Sequence, residues 1–326
     1  MVDKNRQKRP RTTETTLDDV MVVARMLWGR ENPYVYTSAL EEDRMCRDWF
    51  GCGPAVLLDA WNLLVAFEIV PNDGTLEHML WSFIFMKQYP KSQVLKRLCG
   101  GHDLKTIRYR IRDFIESLAT THARIHRRKC FAGVHCIWCN VIMTANFLFC
   151  LFQIVWENRF KNDRGADCTI SVDCVDFRIP NHGPHFASHK FKKKSGLRYE
   201  IAICLQTGDA VWINGPYPCG DWPDISIFRD SLMSHLEDGE RVEADDGYVG
   251  ESPRHIKCPK SFTNLQETEY MQQRVRSRQE TINNRLKFWE ILKIPFRHSD
   301  ILISHGDIVR AAILCIAQVS INHGER

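Results

Sequence analysis

The stretch that decides the fold is Thr169-Ile-Ser-Val-Asp173-Cys-Val-Asp176-Phe-Arg-Ile-Pro180. Its apolar and β-branched residues predict a short β-strand that ends in carboxylates and a proline. Asp173 and Asp176 are an odd number of residues apart, so a regular strand directs them to opposite faces. Only one of them can face a common site, and the spacing alone does not decide which.

Two later stretches combine with this strand into a candidate carboxylate site. In Val242-Glu-Ala-Asp245-Asp246-Gly-Tyr248, a short apolar segment is followed by two adjacent acids and a glycine turn. A polar helix predicted around residues 276–287 carries Glu280 in its middle. Carboxylates are the ligands that hard cations such as Mg²⁺ prefer. Two such cations can promote an in-line displacement at phosphorus, so these acids are candidates for phosphodiester chemistry.

Alternatives remain open at this carboxylate site. Asp245 and Asp246 are neighbours whose side chains diverge, so only one of them can face it. Glu280 lies on a polar strip of its helix and can instead form a surface ion pair with Arg276, one turn earlier.

Composition places the chain among ordinary soluble proteins. It has 326 residues, 44% hydrophobic and 26% charged residues, and a net charge of only +4. This length predicts two domains or one large domain. The thirteen cysteines are scattered and the N-terminus is polar, so we expect reduced thiols in the nucleus or cytosol. Residues 130–156 contain no charged side chain, and we interpret them as a buried helix or an irregular connector in preference to a membrane span.

The N-terminal half is predicted to be helical. Residues 1–17 form a basic arm that we expect to be disordered. Helices are expected from Thr16 to Gly29, from Pro54 to about residue 67, and over residues 76–87. The closest match to a known DNA-binding pattern follows them.

Two short helices, 93–98 and 104–118, are predicted on either side of a Gly100-Gly101 turn. Lys105, Arg108 and Arg112 line one face of the second helix, which is typical of a helix-turn-helix. Residues 91–129 contain eleven Lys and Arg against three Asp and Glu, and such a cluster favours contacts with DNA phosphates. The alternative is a solvated face on a plain helical bundle.

The C-terminal half is predicted to be mixed α/β. Strands are expected over residues 169–177 and 241–245, and a hairpin is expected over 197–214. Helices are expected over 224–236, 264–292 and 307–322. A basic loop contains Lys190, Lys192, Lys193 and Lys194, which we interpret as candidate contacts to DNA phosphates.

A zinc site is a weaker candidate in the uncharged region. Its ligands would come from His126, Cys130, His135, Cys136 and Cys139. Cys136 and Cys139 have ligand-like spacing, but no clean second pair follows at ordinary spacing. Free thiols are the favoured interpretation.

At these residues the sequence resembles the DDE transposases of the PIF/Harbinger superfamily. Residues 171–179 are similar to the strand with the family's first aspartate, and Asp245-Asp-Gly-Tyr248 matches its DxGY block. Residues 280–292 are similar to its glutamate-bearing helix, and residues 189–200 and 215–228 to segments between these blocks. The resemblance covers about residues 76–125 and 157–322. Cys174 departs from it, because it stands where the family usually has glycine.

The resemblance implies a ribonuclease-H-like fold in which the two aspartate-bearing strands lie close together and the glutamate comes from a helix packed on the sheet. It assigns Asp173, Asp245 and Glu280 as a triad that binds two Mg²⁺ or Mn²⁺ ions. It implies DNA strand cleavage and transfer in the nucleus. Expected partners are double-stranded DNA, a Myb-like protein and further copies of the chain.

We therefore expect an α/β protein with a ribonuclease-H-like, mixed-sheet catalytic domain preceded by an all-α helix-turn-helix region. The expected divisions are a basic arm at 1–17, a helical DNA-binding region at 18–128, an apolar connector at 129–156 and a DDE endonuclease domain at 157–326. Two alternatives remain: a domesticated nuclease with a host role, and an inactive transposase-derived DNA-binding protein.

Overall fold

A computed structural model describes the backbone of residues 15–30, 38–129, 156, 159, 167–297 and 304–312. Side chains are described throughout these ranges except at 121–129 and at Gln279. The basic arm, nearly all of the uncharged connector and most of the predicted zinc ligands lie outside this description.

Six helices make up the N-terminal half of the described chain. Their bounds are α1 Leu17–Gly29, α2 Ala39–Phe50, α3 Pro54–Ala66, α4 Leu76–Gln88, α5 Ser92–Leu98 and α6 Leu104–Lys129. Capping boxes at Thr16, Ser38 and Thr75 start α1, α2 and α4, because each side chain accepts from a backbone N–H that would otherwise lack a partner. The helices expected near residues 17, 54 and 76 are confirmed, whereas α2 was not predicted.

The α5–α6 pair has the predicted turn. Gly100 and Gly101 take positive φ values of 76° and 79°, which suit glycine because other residues are strained there. The carboxylate of Asp103 accepts from the backbone N–H groups of Lys105 and Thr106 and so starts α6. The helix continues well past the predicted end at residue 118.

A mixed sheet forms the C-terminal half. Its strands are β1 Ile170–Arg178, β2 Ala187–Ser188, β3 Lys194–Cys204, β4 Ala210–Pro218, β5 Val242–Glu243 and β6 Ile256–Lys257. The order is β2-β3-β1-β5-β6, and β4 also pairs with β3. β1 runs antiparallel to β3 and parallel to β5, and β5 runs parallel to β6. The expected α/β class, with an all-helical N-terminal region and a mixed sheet, is confirmed.

Helices pack on both faces of this sheet. α7 spans Asp224–Asp230 and is followed by a 3-10 turn at Leu232–His235, where one continuous helix was predicted. α8 spans Leu265–Lys287 and α9 spans Glu290–Lys293. Residues 304–312 are helical, and the rest of the predicted closing helix lies outside the description. α8 packs on β1, so the glutamate-bearing helix rests on the predicted aspartate-bearing strand.

One hydrophobic core joins the helical half to the sheet. Side chains from α1–α6 share a buried cluster with Val175 and Phe177 of β1 and with Trp289. The Trp289 ring is 1% exposed, lies 6.2 Å from the Phe83 ring and closes against Gly51 so tightly that a Cβ there would come within 2.6 Å of it. The other face of β1, with Val172 and Cys174, belongs to a second cluster under α7.

No single described helix is both long and apolar enough to cross a membrane. α2 and α3 are long and apolar enough only when they are taken together, and the two helices are bent by 57° relative to each other.

Because Trp289 connects the helices to the sheet, we expect Trp289→Ala to lower the free energy of unfolding by about 3–5 kcal/mol. Unfolding of both halves should remain a single transition when followed in urea by circular dichroism. The neighbouring Phe288 is 45% exposed and provides the control: Phe288→Ala should cost no more than about 1 kcal/mol. Two separate transitions in the wild-type protein would contradict a shared core.

Candidate metal and DNA-binding site

Asp173 lies on the α8 side of the sheet. It shares this side of β1 with Val175, because side chains two residues apart point the same way. Its carboxylate remains partly exposed although the strand around it is buried.

Asp176 points to the opposite side and has a structural role. Its side chain is buried and accepts from Arg198 at 2.8 and 3.1 Å and from Ser188 at 2.6 Å. Burial alone would raise the pKa of Asp176, but the hydrogen bonds from Arg198 and Ser188 outweigh it and the pKa is lowered. Asp176 is therefore held in a buried ion pair and points away from the side of the sheet that Asp173 faces.

Asp245 reaches the same end of the sheet as Asp173. Ile170 pairs with Val242 and Ser171 with Glu243 in the parallel β1–β5 ladder, so each aspartate follows two residues beyond the last pair. The Asp245 carboxylate accepts from the backbone N–H of Gly247 at 2.8 Å and starts a 3-10 turn. Asp246 instead accepts from the backbone N–H of Lys260 at 3.1 Å.

A third carboxylate at this place, Asp224, was missed by the sequence reasoning. It is the first residue of α7, and its Oδ1 lies 2.6 Å from an Arg198 guanidinium nitrogen. A Cβ built on Gly247 would lie 2.9 Å from Asp245 Oδ1 and 3.5 Å from Asp224 Oδ2, so both oxygens border one small space. The only available signal was its place within the family-like segment at 215–228.

The charge of Asp245 raises the pKa values of Asp173 and Asp224. Burial raises the pKa of Asp173 to about 7, and the charges of Asp245 and Asp224 add to this effect, while Lys190 opposes it. The pKa of Asp224 is also raised, chiefly by burial, against the influence of Arg198 and Lys190. Like charges in a partly dry site disfavour ionisation, so a bound cation would offset the repulsion among these carboxylates and favour their charged form.

Lys190 is directed toward these acids. Its ammonium group donates to the Cys174 carbonyl oxygen at 2.9 Å. Desolvation would lower the pKa of Lys190, but Asp173, Asp176 and Asp224 outweigh it and the pKa is raised. Of the predicted DNA-contacting lysines, this one is therefore committed to the carboxylate group.

All four lysines of the basic loop are exposed. Lys192 and Lys193 form a left-handed turn with φ values of 53° and 62°, and Lys194 begins β3. Their position beside Lys190 leaves them open to contacts with phosphates.

Glu280 is not brought to the aspartates. Its side chain is exposed on α8, whose buried side carries Val275, Ile282 and Leu286. Each residue turns an α-helix by about 100°, so Glu280 lies about 160° around the helix from Ile282. Glu280 is not among the groups that act most strongly on the pKa of Asp173.

Cys174, the departure from the family pattern, fits without strain. Its side chain is fully buried on the α7 side of the sheet, with Sγ 3.4 Å from the Tyr248 hydroxyl. It therefore points away from the side that Asp173 faces, and the larger side chain does not obstruct the carboxylates.

Within the described residues, no group of three or more His, Cys, Asp or Glu side chains has the arrangement of a ready-made metal site. Cys130, His135, Cys136 and Cys139, and the side chain of His126, lie outside the description, so the predicted zinc alternative is not addressed.

The basic face of α6 is exposed as predicted. Lys105, Arg108 and Arg112 project beside Tyr109, which is 52% exposed. Arg108 donates to the Ser92 hydroxyl at 2.7 Å and so ties α6 to α5, whereas Arg112 is 3.5 Å from Glu116. The stripe offers cations and one aromatic ring to a ligand in solvent.

Comparisons with protein families, with curated proteins and with solved structures returned no match.

The raised pKa of Asp173 predicts a stability that falls with increasing pH. The folded carboxyl has a pKa of about 7, against about 3.9 when unfolded, so only the folded state keeps the proton between these values. Without divalent cations, we expect the free energy of unfolding of Asp173→Asn to exceed that of wild type by on the order of 4 kcal/mol above pH 7, since each unit of pKa difference contributes about 1.4 kcal/mol. The gain should vanish near pH 4, as measured by urea unfolding.

The matched control for this experiment is Asp246→Asn, which removes the neighbouring charge of the pair at 245–246. It should show no comparable pH-dependent gain over wild type. An equal change of stability at both pH values for Asp173→Asn would contradict the shifted titration.

Proposed function

We propose that this chain is a divalent-metal-dependent DNA endonuclease of the transposase type, which cleaves phosphodiester bonds and transfers the freed strand. The observation that carries the proposal is the meeting of Asp173 and Asp245 at the same end of two adjacent parallel strands. The charges of Asp245 and Asp224 add to burial in raising the pKa of Asp173, and perturbed carboxylates of this kind are typical of functional sites.

A ribonuclease-H-like arrangement is part of this proposal. The two aspartate-bearing strands, β1 and β5, are direct neighbours in the sheet. The helix that carries the family-like glutamate, α8, packs on β1. These two features support the fold that the resemblance implies.

The donor chemistry suits Mg²⁺ or Mn²⁺. Asp173 and Asp245 supply oxygen ligands, and Mg²⁺ often needs only one or two protein carboxylates because water and substrate phosphate complete its shell. Glycine at position 247 leaves open the space between Asp245 Oδ1 and Asp224 Oδ2 that a methyl group would occupy. When bound, the cation would polarise the phosphate and lower the pKa of a coordinated water.

Asp224 is the third carboxylate that the structure offers to this site. Arg198 pairs with both Asp176 and Asp224, and so holds α7 against the end of β1. Lys190 supplies a positive charge near Asp173, Asp176 and Asp224. Glu280, which the resemblance assigns to the triad, would require a large rotation of α8 to reach them.

DNA would be held by positive surface on both halves of the chain. The α6 stripe and Lys192–Lys194 are exposed and basic, which suits contacts to phosphate oxygens. The proposed substrate is double-stranded DNA at transposon ends and target sites, in the nucleus. A Myb-like protein and further copies of the chain are the proposed partners.

The proposal is tested by incubating the purified chain with supercoiled DNA and Mg²⁺ or Mn²⁺. We expect nicking that requires the cation and falls at least about 100-fold in Asp173→Asn and in Asp245→Asn, because each removes a charged ligand. Asp246→Asn is the matched control and should retain most activity. Cleavage that survives in both ligand variants would contradict the assignment.

Two further variants test whether Asp224 or Glu280 is the third carboxylate ligand. With Asp224 in that role, Asp224→Asn should reduce cleavage far more than Glu280→Gln. The reverse order would show that α8 rotates toward the aspartates when DNA or cation binds.

A second candidate function is DNA binding without cleavage, as in an inactive transposase-derived protein. The outward position of Glu280 favours it, because the family-like triad is incomplete in this structure. It predicts no nicking under any cation, together with DNA affinity that is unchanged by Asp245→Ala.

DNA affinity should depend on the α6 stripe. We expect the double variant Lys105→Gln/Arg112→Gln to weaken binding by about tenfold at moderate salt and to reduce the salt slope by about two, because each removed cation is a lost phosphate contact. Fluorescence anisotropy over a salt series measures both quantities. The charge-matched control Arg44→Gln/Lys287→Gln removes exposed cations elsewhere and should have a smaller effect; equal losses would indicate only non-specific attraction.

A further inference from the structure

A histidine–aspartate pair lies outside the carboxylate group. The His185 Nδ1 atom lies 2.9 and 3.1 Å from the two carboxylate oxygens of Asp221. His185 belongs to the 3-10 turn between β1 and β2, and Asp221 lies between β4 and α7. A carboxylate can only accept, so Nδ1 carries the proton of this hydrogen bond. The bond fixes the ring, and its second nitrogen, Nε2, is presented in a defined direction.

The backbone holds both partners in place. The Gly220 N–H donates to the His185 carbonyl oxygen at 2.8 Å. A Cβ at position 220 would come within 2.5 Å of the Pro184 carbonyl oxygen, so the two segments pack backbone against backbone. The side chains of His185 and Asp221 are nevertheless 71% and 48% exposed. The imidazole is therefore fixed in orientation and still open to a ligand from solvent.

Both segments also contribute to the carboxylate site. Ser188, three residues after His185, donates to the buried Asp176 at 2.6 Å. Asp224, the third carboxylate of the site, lies three residues after Asp221. Three residues span at most about 11 Å. The pair is therefore within reach of a polymer that occupies the carboxylate site.

The loop that carries His185 favours an anionic ligand. Residues 181–194 contain four Lys and no Asp or Glu. Two of these lysines, Lys192 and Lys193, are exposed in the left-handed turn. Side chains other than glycine hold that conformation at a cost, and such strain is concentrated at functional sites. Even with Asp221 beside it, this surface remains cationic.

A phosphate diester suits this arrangement. An imidazolium ring donates from both nitrogens, so it can bridge the Asp221 carboxylate and a phosphate oxygen. Hydrogen bonds between two ionised groups are about twice as strong as those between neutral groups. Contacts of this kind fix the register of a protein on DNA without reading its sequence.

We propose that His185, oriented by Asp221, binds a DNA backbone phosphate beside the carboxylate site, with Nε2 donating to a phosphate oxygen. This inference rests on the proposed DNA function and adds to it a residue that positions the strand to be cleaved. The contact needs no divalent cation, so it is tested in the absence of cleavage.

The test is DNA binding of the whole chain, followed by fluorescence anisotropy over a salt series with a chelator present. It is made at pH 6, where an ordinary imidazole is largely charged. We expect His185→Gln to weaken binding by about fivefold and to reduce the salt slope by about one, because one phosphate contact is lost. His185→Arg keeps a cation beside Asp221 and should retain most of the wild-type affinity.

His189→Gln is the matched control. His189 is exposed on the same loop, and in the described part of the chain no carboxylate is bonded to its ring. This variant should change neither the affinity nor the salt slope.

Asp221→Asn separates orientation from charge. By charge alone, removal of an acid from a DNA-binding surface tightens binding. If Asp221 orients His185, this substitution should instead weaken binding by about threefold. In a His185→Gln background the same substitution should tighten binding or leave it unchanged, which a double-mutant cycle measures. Asp238→Asn removes an exposed acid just before β5, at the opposite end of that strand from Asp245, and should not weaken binding.

Three results would overturn the proposal: no DNA binding by the wild type, an affinity of His185→Gln no lower than that of His189→Gln, or tighter binding in Asp221→Asn when His185 is present. Unchanged DNA affinity with a lower melting temperature in His185→Gln would also overturn it, because the pair would then only join the two segments. Wild-type binding without an effect of His185 would leave the cleavage proposal standing. The expected effect of His185 without cation-dependent nicking would contradict cleavage alone.

Discussion

The parallel pairing of β1 with β5 is the interaction on which the site depends. Only two residue pairs define it, yet they fix the register that brings Asp173 and Asp245 to the same end of the sheet. β1 is also the central strand, with the long antiparallel β3 on its other side. A slip of one residue would exchange the side chains that face the two cores and bury Asp173 in the second core, so burial on both faces holds the register.

Repulsion and burial of the acids at one end of the sheet destabilise the folded state, and the surrounding residues offset this effect in part. Arg198 binds Asp176 and Asp224, and Lys190 adds a positive charge near Asp173. Asp173 still keeps a pKa of about 7, so this compensation is incomplete. Such residual destabilisation is typical of groups arranged for binding, because a cation recovers energy that a purely structural ion pair would already have gained.

The sequence allowed the fold class and most element positions to be predicted, because apolar periodicity and capping residues are local signals. Thr16, Pro54 and Asp103 mark helix starts, and the β3–β4 hairpin follows from alternation around a polar turn. α2 was missed although Ser38 and Glu41 form a capping box, since half of its twelve residues are charged. The division into separate helical and catalytic domains rested on local patterns, whereas the core that joins them arises from contacts distant in sequence.

The site was predictable only in part, for a geometric reason. Strand alternation restricted the choice between Asp173 and Asp176 to one, but the Arg198 ion pair that occupies Asp176 depends on β3 register. Asp224 carries no local signal, because its approach to Asp245 depends on how α7 packs against the 3-10 turn after β5.

The two candidate triads differ in their third carboxylate, which is Glu280 in one and Asp224 in the other. The orientation of α8 about its own axis decides between them. Met271, Val275, Ile282 and Leu286 are buried along one side of the helix, and Arg274 and Arg278 both pair with buried Glu243. Turning Glu280 inward would break both ion pairs and expose four apolar side chains, which costs far more than one carboxylate–cation contact outside a substrate complex would return. In the free protein, α8 therefore keeps its orientation, and its two arginines hold β5 through Glu243. Asp224 is then the third acid near Asp173 and Asp245.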